Sequence, residues 1–386
     1  MMPSVLFYVQ HLWGVGHVYR ATRIARGLVE RGFDVHLVWG GTEIPGFDFS
    51  GMTVHRLKPV RTSDASFSQL LHADGSVFSD DDKLERRDHL LAIYDEIDPD
   101  ILMTEAFPFG RRQMRFELLP LFEKAKSAQK APMIISSIRD IMQEDRKEKR
   151  VQESNDLVGQ YFDFIFVHGD QNLISIEETL QGYQTFKEKV RYTGLVTPDE
   201  KEIESVSEYQ CDVLITVGGG AFGQKLTRTA LEAMPFSKSY PSNWIVSAGT
   251  EVSDEDFKLL QEQCPSGMRI VRYIPDLADV MKQVNISVSH AGYNTVADLL
   301  RSGCASVLYP YTGGRETEQL RRASIMDRKK IAVMLDPDSL TPESLASAVD
   351  KAAMLEKQSI NFDLEGASKT ASIIKYEFEK FKRSAC

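Results

Sequence analysis

The sequence predicts an α/β protein of two domains, each built on a parallel sheet, that face each other across a cleft. The chain has 386 residues, enough for two domains of about 100–200 residues each. Short apolar runs alternate with amphipathic stretches along most of the chain, as expected for parallel sheets covered by helices on both faces. The alternation weakens near residues 180–210, where charged residues accumulate, and then begins again. Each half is therefore expected to be Rossmann-like.

This pattern sets the expected domain boundaries. We expect an N-terminal domain over residues 1–190, a linker over 191–210 and a C-terminal domain over 211–365. A final helix over 366–386 places apolar residues such as Phe378 on one side, so it could pack back on the N-terminal domain. In sheets of this kind, ligands bind at the carboxyl ends of the strands.

The elements of the first half follow from the spacing of apolar residues. Residues 5–9 form an uninterrupted apolar run, which is typical of a buried strand, and residues 18–29 have helical spacing that ends near Gly32. Further strands are predicted at 35–39, 101–104, 133–138 and 164–168, and further helices at 83–97, 111–128 and 144–160.

The second half repeats this order after the predicted linker. Its strands are predicted at 213–217, 244–247, 269–273, 286–289, 306–309 and 331–334. Its helices are predicted at 224–233, 254–262, 277–283, 295–302 and 316–326, with a last helix at 367–382. Two similar α/β halves in one chain predict a ligand site in the cleft between them.

Composition and charge exclude several classes of protein. Hydrophobic residues make up 42% of the chain and charged residues 26%, an ordinary globular mix. The formal net charge of −10 argues against a general affinity for nucleic acid. No stretch approaches the roughly 18 consecutive apolar residues of a membrane span, and the first residues lack the features of a secretory signal. We therefore expect a cytoplasmic protein, with any membrane contact peripheral and at the inner face.

The first candidate functional segment is the glycine loop between the first predicted strand and helix. Gly14-Val15-Gly16-His17 would let the backbone turn tightly and approach a ligand. His17 would then lie at a helix N-terminus facing the cleft, where the helix dipole disfavours the imidazolium and keeps the ring neutral, as a general base requires. The residue could equally cap the helix or line the cleft, so this motif leaves both roles open.

A second glycine-rich loop, residues 218–223, follows the strand predicted at 213–217. It satisfies the GxGxxG pattern of dinucleotide binding, which is a weak signal alone, and the next strand ends in small neutral residues where that function needs an acidic one. A cradle of backbone N–H groups for a phosphate is favoured instead. Its members would be Gly218, Gly219, Gly220 and Ala221. The four cysteines are scattered without metal-binding spacing, so neither a metal nor a dinucleotide cofactor is expected.

The densest group of polar residues follows the strand predicted at 286–289. His290, Asn294 and Thr295 lie between the end of that strand and the next helix, where they and free backbone N–H groups would point at one anion. Asp298, one turn into the helix, suits paired ribose hydroxyls. The polar residues further along that could bind sugar hydroxyls are Glu318 and Gln319.

The order and spacing of residues from His290 to Ala323 resemble the donor-binding signature of GT-B glycosyltransferases, in the form found in plant UDP-glycosyltransferases. The glycine loop ending at His17, the loop 218–223 and the segment 192–194 are similar to bacterial MurG and glycosyltransferase family 28. The resemblance implies the GT-B fold and an inverting, metal-independent glycosyltransferase that uses no cofactor. It would move a hexosyl or N-acetylhexosaminyl group from a nucleotide-diphosphate sugar, expected to be UDP-linked, to a hydroxyl of a glycan, lipid-linked or small-molecule acceptor.

The resemblance also implies a role for each matching residue. His17 would be the general base, and Glu105 and Asp140, each at a predicted strand end, are the candidates for orienting it. His290 would bind the donor diphosphate with Asn294 and Thr295, and Asp298 would hold ribose. The base would face the backbone near Ile274, and the sugar would contact Glu318 and Gln319. Gly16 and Gly292 are also expected to lie at the donor. Departures from the signature are Asp298 in place of Glu, Cys304-Ala305 in place of a Gly-x-Pro turn, and Arg322 in place of Asn.

The acceptor and three alternative functions stay open at this point. Arg111 and Arg112 could meet an anionic acceptor or simply begin a surface helix. The glycine loop also resembles the UDP-sugar hydrolase of pseudaminic acid synthesis, a MurG relative in which the histidine would activate water. Nucleotide-sugar 2-epimerases share the two-domain plan, although the signature from His290 onwards argues against them. A non-catalytic nucleotide-sugar binder is the last alternative, which the presence of His17 disfavours.

Overall fold

A computed structural model describes residues 2–12, 16–44, 47–62, 69–143, 146–198, 207–218, 223–250, 252–313, 316–356 and 361–385. The chain divides into two compact units, one formed by Met1–Thr197 together with Glu365–Cys386 and the other by Pro198–Leu364. Each unit is built on its own parallel sheet, so the predicted α/β class with two parallel-sheet domains is confirmed. The division between the units falls inside the segment predicted as a linker.

The first unit contains a seven-stranded parallel sheet and a short antiparallel pair. Its strands are β1 (Ser4–Val9), β2 (Asp34–Trp39), β3 (Met52–Arg56), β4 (Arg61–Thr62), β5 (Leu70–Leu71), β6 (Ile101–Glu105), β7 (Met133–Arg139), β8 (Phe164–His168) and β9 (Val190–Tyr192). The sheet order is β3-β2-β1-β6-β7-β8-β9, and β4 pairs with β5. The direction of winding therefore reverses between β1 and β6, which makes their carboxyl ends the topological switch point at which such sheets bind ligands.

Helices of the first unit cover both faces of its sheet. Those between its strands are α1 (Gly16–Glu30), α2 (Asp80–Ile97), α3 (Arg115–Ser127) and α4 (Glu148–Tyr161). Helix α1 buries Val18, Ile24 and Leu28 at helical spacing. Helix α2 begins three residues before its predicted start because Ser79 and Asp82 form a capping box.

The second unit repeats this topology with six parallel strands. They are β10 (Val213–Thr216), β11 (Trp244–Ser247), β12 (Met268–Val271), β13 (Ile286–Ser289), β14 (Ala305–Leu308) and β15 (Val333–Met334). Their order is β12-β11-β10-β13-β14-β15. The switch point of this sheet therefore lies between β10 and β13, the two strands that lead into the second glycine-rich loop and into His290.

Helices again connect the strands of the second unit. They are α5 (Gln224–Ala233), α6 (Asp254–Glu262), α7 (Leu277–Met281), α8 (Tyr293–Ser302), α9 (Glu318–Arg328) and α10 (Pro342–Ala353). Helix α10 is absent from the predicted elements, although Thr341 and Ser344 form a capping box at its start. Strands β3 and β9 are also absent from them, and β9 overlaps the start of the predicted linker. Both strands are largely half-buried or exposed, and β9 has only three residues, so their apolar periodicity is weak.

The last helix, α11 (Gly366–Ala385), belongs to the first unit and packs against α1. The two backbones approach closely at Gly27, where a Cβ would lie 2.9 Å from the carbonyl oxygen of Ala367. Ala371 and Ile374 are buried there, and Arg191 Nε donates to Glu377 at 2.7 Å. Within the described residues, no helix combines the length and apolarity needed to span a membrane.

Candidate functional site

Two of the three predicted catalytic residues, His17 and Glu105, lie at the switch point of the first unit. The chain leaves β1 through Gln10, and α1 begins at Gly16, so His17 is the second residue of that helix. Residues 13–15 of the glycine loop lie outside the described part of the chain. Glu105 is the last residue of β6, the neighbour of β1. His17 and Glu105 therefore belong to elements that meet at one edge of the sheet.

Both ring nitrogens of His17 have close polar neighbours. Nε2 lies 3.0 Å from the carbonyl oxygen of Gln10, and Nη2 of Arg111 lies 3.0 Å from Nδ1 and 2.8 Å from Nε2. Nε of Arg111 donates to the same carbonyl at 2.7 Å. Burial, followed by the nearby charges of Arg111 and Arg20, holds the pKa of His17 well below its usual value. The ring is therefore neutral at physiological pH, the state that a general base requires.

Glu105, the first residue predicted to orient His17, has other partners. Its side chain is fully buried, forms an ion pair with Arg20 of α1 and accepts a hydrogen bond from Ser137 Oγ at 2.6 Å. A buried carboxylate without a cation is strongly destabilising, so Arg20 is its natural partner. Glu105 makes no hydrogen bond to His17. It instead binds Arg20, one of the two arginines whose charge lowers the pKa of that ring.

Asp140, the second predicted orienting residue, directly follows β7 and is also buried. It packs against Gly169, where a Cβ would lie 2.6 Å from the Cβ of Asp140. It does not hydrogen bond to His17, whose polar neighbours are Gln10 and Arg111. The two predicted carboxylates are therefore replaced by a backbone carbonyl from the loop after β1 and a guanidinium that the fold brings in from the loop after β6.

A series of buried hydrogen bonds continues from Glu105 across the carboxyl ends of the next strands. Ser137 must donate to Glu105, because a carboxylate only accepts, so Ser137 Oγ accepts from His168 Nε2 at 2.8 Å. Nδ1 of His168 is then an acceptor for the hydroxyl of Thr193, also at 2.8 Å. Burial holds the pKa of His168 well below its usual value, so this ring is neutral too. The series fixes the rotamer of Glu105.

A second buried group supports the loop after β1. Arg86 donates to Glu117 at 2.7 Å and to the side-chain oxygen of Gln10 at 2.6 Å. Tyr8 donates to the same carboxylate. The side chains of Arg86 and Glu117 are both 0% exposed. This ion pair therefore fixes Gln10, whose carbonyl faces His17.

In the second unit, His290 directly follows β13, the neighbour of β10. Its Nδ1 lies 2.7 Å from the carbonyl oxygen of Tyr309 and therefore carries the hydrogen, because a carbonyl only accepts. Burial lowers the pKa of His290, so the ring is neutral and Nε2 has a lone pair. Nε2 is buried and has no hydrogen-bond partner among the described residues. A buried nitrogen left in this state costs about 1–3 kcal/mol, which a bound ligand would recover.

The N-terminus of α8 lies directly after His290. Gly292 is the N-cap residue and provides no side chain to cap the helix, so the first N–H groups, including those of Asn294 and Thr295, have no acceptor within the helix. A Cβ on Gly292 would meet no atom nearer than 3.9 Å, which leaves the backbone open to a ligand. Asp298, one turn further on, is 9% exposed. The helix dipole and the neighbouring His290 ring make this part of the second unit suited to an anion.

The structure describes only some of the remaining residues that were predicted to bind the diphosphate and the base. Gly218 follows β10 with a φ of +72° and no atom within 4 Å of a Cβ position, a left-handed conformation that favours glycine. Gly219, Gly220 and Ala221 lie outside the described residues. Ile274 lies in the loop between β12 and α7 with a buried side chain. Among the described residues, no group of three or more His, Cys, Asp or Glu is arranged to hold a metal ion.

The two residues predicted to bind the sugar differ in their availability. Glu318 is 3% exposed, and its Oε1 accepts from Nη2 of Arg322 at 2.7 Å. Nη1 of Arg322 donates to the carbonyl of Ala291 at 2.8 Å, which ties α9 to the segment after His290. Gln319 accepts from the N–H of Tyr311 at 3.1 Å and is only half-buried. The carboxylate of Glu318 is therefore bound in a buried ion pair. Gln319 is more accessible and is the better placed of the two to contact a ligand.

Most of the groups around His17 come from distant parts of the chain and could not be predicted from the sequence. Gln10 and Arg111 are 101 residues apart and meet only in the folded chain, and Arg20 and Glu105 are 85 apart. No local pattern marks such pairs. For Arg111 the sequence left open a contact with an anionic acceptor or the start of a surface helix, and nothing in it indicated that the side chain lies against His17.

A family model matches most of the second unit and the first part of α11. Residues 213–376 match the model described as the glycosyltransferase family 28 C-terminal domain. The match begins with β10 and includes the whole segment from His290 to Gln319. The resemblance to family 28 that this segment indicated is therefore confirmed.

Two curated proteins named UDP-N-acetylglucosamine--N-acetylmuramyl-(pentapeptide) pyrophosphoryl-undecaprenol N-acetylglucosamine transferase are similar to the chain. The protein from Thermotoga neapolitana is 23% identical over 201 residues, which are 52% of this chain and 56% of that protein. The protein from Natranaerobius thermophilus is 21% identical over 386 residues, which are 92% of this chain and 93% of that protein. The chain thus spans little more than half the length of the first relative and most of the second.

A solved structure shows the fold of the whole chain. The glycotransferase of kitacinnamycin superposes with a TM-score of 0.65 at 14% identity, covering 98% of this chain and 100% of that one. The chain therefore has the fold of GT-B glycosyltransferases. Residues 213–376 are similar to the C-terminal domain of glycosyltransferase family 28, and the fold is also similar to that of MurG from Acinetobacter baumannii, which superposes with a TM-score of 0.57 at 14% identity, covering 97% of this chain and 99% of that one.

Proposed function

We propose that the protein is an inverting, metal-independent glycosyltransferase that moves a sugar from a UDP-linked donor to an acceptor hydroxyl. The observation that carries this proposal is the buried, unsatisfied Nε2 of His290 beside the open N-terminus of α8. A diphosphate would satisfy both, because it supplies a partner for Nε2 and negative charge for the helix dipole. The match to family 28 supports a nucleotide sugar as the ligand.

The donor half of the reaction would depend on protonated His290. A phosphate oxygen cannot donate to the lone pair at Nε2, so the ring would take up a proton as the diphosphate binds. The resulting charge-assisted hydrogen bond is stronger than a neutral one. When the anomeric bond breaks, negative charge grows on the leaving diphosphate, and the imidazolium and the α8 N-terminus would stabilise it. Gly218 lies after the neighbouring strand, where its backbone could approach the same diphosphate.

The acceptor half would use His17. A neutral imidazole can take the proton of an acceptor hydroxyl as its oxygen attacks the anomeric carbon. Attack from the face opposite the diphosphate inverts the configuration at that carbon. Glu105 would not take part directly, since Arg20 and Ser137 bind its carboxylate.

The names of the relatives suggest the first substrates to test. Both transfer N-acetylglucosamine from UDP-N-acetylglucosamine according to those names, and their acceptor is a pyrophosphoryl-undecaprenol. For this chain we take N-acetylglucosamine as the donor sugar and a lipid-linked hydroxyl as the acceptor class. Peripheral contact with the inner face of a membrane would follow from such an acceptor.

The test begins with ligand binding by thermal unfolding. UDP and UDP-N-acetylglucosamine are expected to raise Tm in the full-length protein, whereas dTDP and GDP compounds should raise it less. His290→Ala should abolish the shift, and His89→Ala, which changes an exposed histidine of α2, should keep it. Turnover is then followed by release of UDP with and without acceptor alcohols. Release of free sugar at the same rate without any acceptor would favour the hydrolase, and no nucleotide-dependent shift would refute the proposal.

A further inference from the structure

The lone pair of His17 is covered in this structure. The carbonyl of Gln10 can only accept, so the hydrogen of the neutral ring is on Nε2 and the lone pair is on Nδ1. Nη2 of Arg111 lies within 3.0 Å of both nitrogens, so either tautomer would present its lone pair to a group that can only donate. His17 therefore cannot accept a proton from a hydroxyl until Arg111 moves away.

Among the described residues, no carboxylate forms an ion pair with Arg111. Its hydrogen bonds run to Gln10 and to His17. The carboxylate that acts on it most strongly, Glu105, is already bound by Arg20 and Ser137. Burial lowers the pKa of Arg111 to about 10, so the side chain is still a cation at neutral pH. A half-buried guanidinium in this situation is an incomplete ion pair.

The loop that carries Arg111 has an unusual backbone conformation. Arg111 has a φ of 57°, a left-handed conformation that is unusual for a residue with a Cβ. Ala106, at the start of the same loop, also has a positive φ, of 68°, and accepts a hydrogen bond from the N–H of Gly110 at 2.7 Å. Strained residues of this kind persist where the surrounding structure holds them, and they concentrate at functional sites.

We propose that Arg111 binds an anionic group of the acceptor, a phosphate or a carboxylate, and that this binding uncovers the lone pair of His17. The inference rests on the proposed function and specifies its acceptor class. The guanidinium would leave the ring for a pair of anionic oxygens, which match its fork of donors better than an imidazole nitrogen does. The uncovered nitrogen then takes the hydroxyl proton, the oxygen bonds to the anomeric carbon, and the bonding electrons of the cleaved C–O bond leave with the diphosphate. A neutral acceptor leaves Arg111 in place and the base blocked.

The first test measures access to the His17 lone pair without any donor. Diethyl pyrocarbonate acylates the unprotonated nitrogen of imidazole, and the modified His17 peptide can be quantified by mass spectrometry. In the wild-type chain, inorganic phosphate or acetate should raise the rate at His17 by roughly tenfold over chloride of equal ionic strength, the equivalent of one hydrogen bond to a charged group. Arg111→Met should react at the higher rate with or without the anion. Arg112→Met, which changes the exposed neighbour bound to Glu153, should behave as wild type.

The outcomes separate this inference from the proposed function. A response to phosphate but not acetate would identify a phosphorylated acceptor, and the reverse a carboxylate. Equal rates in wild type and Arg111→Met, or an anion response that survives in Arg111→Met, would overturn the inference. If Arg111→Met does not fold, Arg111→Lys should show a raised basal rate and keep its anion response. If the protein transfers sugar from UDP-sugars but the rate of His17 modification does not depend on Arg111, this inference alone is refuted. If the anion raises that rate as expected but the protein transfers no sugar, the proposed function alone is refuted.

Discussion

Binding of the donor should be coupled to protonation of His290, and the structure gives the sign of the effect. In the free protein, burial holds the pKa of His290 below its usual value, and the Tyr309 carbonyl fixes the hydrogen on Nδ1. A diphosphate oxygen beside Nε2 raises that pKa, because opposite charges favour the imidazolium. The added affinity is therefore fully present below the pKa of the free protein and is lost as the pH rises through the pKa of the complex. Between these two values, binding takes up a proton.

The size of the effect follows from the single contact that Nε2 can make. A hydrogen bond to a charged group contributes about 1.5–3 kcal/mol, which corresponds to roughly 10–150-fold in Kd. His290→Gln keeps a polar side chain of similar length but cannot titrate. We expect this variant to bind UDP-N-acetylglucosamine more weakly by that factor at acidic pH and to show an almost flat dependence on pH.

Isothermal titration calorimetry measures both quantities. Titrations across the range of about pH 5–8 in which a histidine titrates, repeated in buffers of different ionisation enthalpy, give Kd and the proton uptake together. His89→Gln, an exposed histidine on α2, controls for the loss of a histidine elsewhere. If wild type and His290→Gln show the same proton uptake and the same pH dependence, Nε2 does not contact the diphosphate and the assignment of the anion site is wrong.

Further outcomes test other parts of the structure. His17→Ala should lower kcat by about 10²–10⁴-fold, the range for loss of a general base, while the Kd of the donor measured by calorimetry stays nearly unchanged; an equal loss of affinity would contradict the separation of the two sites. Arg86→Met should lower the free energy of unfolding by about 3–5 kcal/mol because Glu117 is left buried without a cation, and adding Glu117→Leu should recover part of it in urea titrations; a double variant less stable than the single one would argue against the ion pair. Ser137→Ala should cost about 1–3 kcal/mol in the same assay, since His168 and Glu105 each lose a buried partner; an unchanged midpoint would show that the series of hydrogen bonds adds nothing. Gly27→Val should destabilise the packing of α1 against α11 by about 1–3 kcal/mol through overpacking, measured as a lower Tm, whereas Gly159→Val, at a glycine of α4 with no atom within 4 Å of its Cβ position, should show no overpacking.

Apolar periodicity was enough to locate most of the strands. The runs that became β1, β10 and β13 are buried on both faces of their sheets, so nearly every residue in them is apolar or small, and the pattern is strong. The strands that it failed to indicate, such as β3 and β9, have no fully buried residue, so their apolar pattern is weak. The same reasoning placed His17 and His290 at strand-to-helix loops, because glycine and polar residues there follow the apolar runs directly.

Contacts between distant residues account for the parts of the candidate site that could not be predicted. Glu105 was expected to orient His17 and Glu318 to bind the donor sugar, and each is instead held in an ion pair with a buried arginine. A carboxylate at a strand or helix end is compatible with either role, and the deciding factor is whether the fold brings a cation to it. For Glu105 that cation comes from α1, 85 residues away in the sequence.

The amino-acid sequence by itself determined the two α/β halves, the loops that follow β1, β10 and β13, and the family-28-like segment from His290 to Gln319. These features are local, because periodicity, glycine and a spaced motif are written in contiguous residues. Only the tertiary structure decided that Arg111 and Gln10 surround the ring of His17, and that Nε2 of His290 is buried without a partner among the described residues. Those properties depend on distances between groups far apart in the chain and on what surrounds them after folding, and neither is encoded in any short stretch of residues.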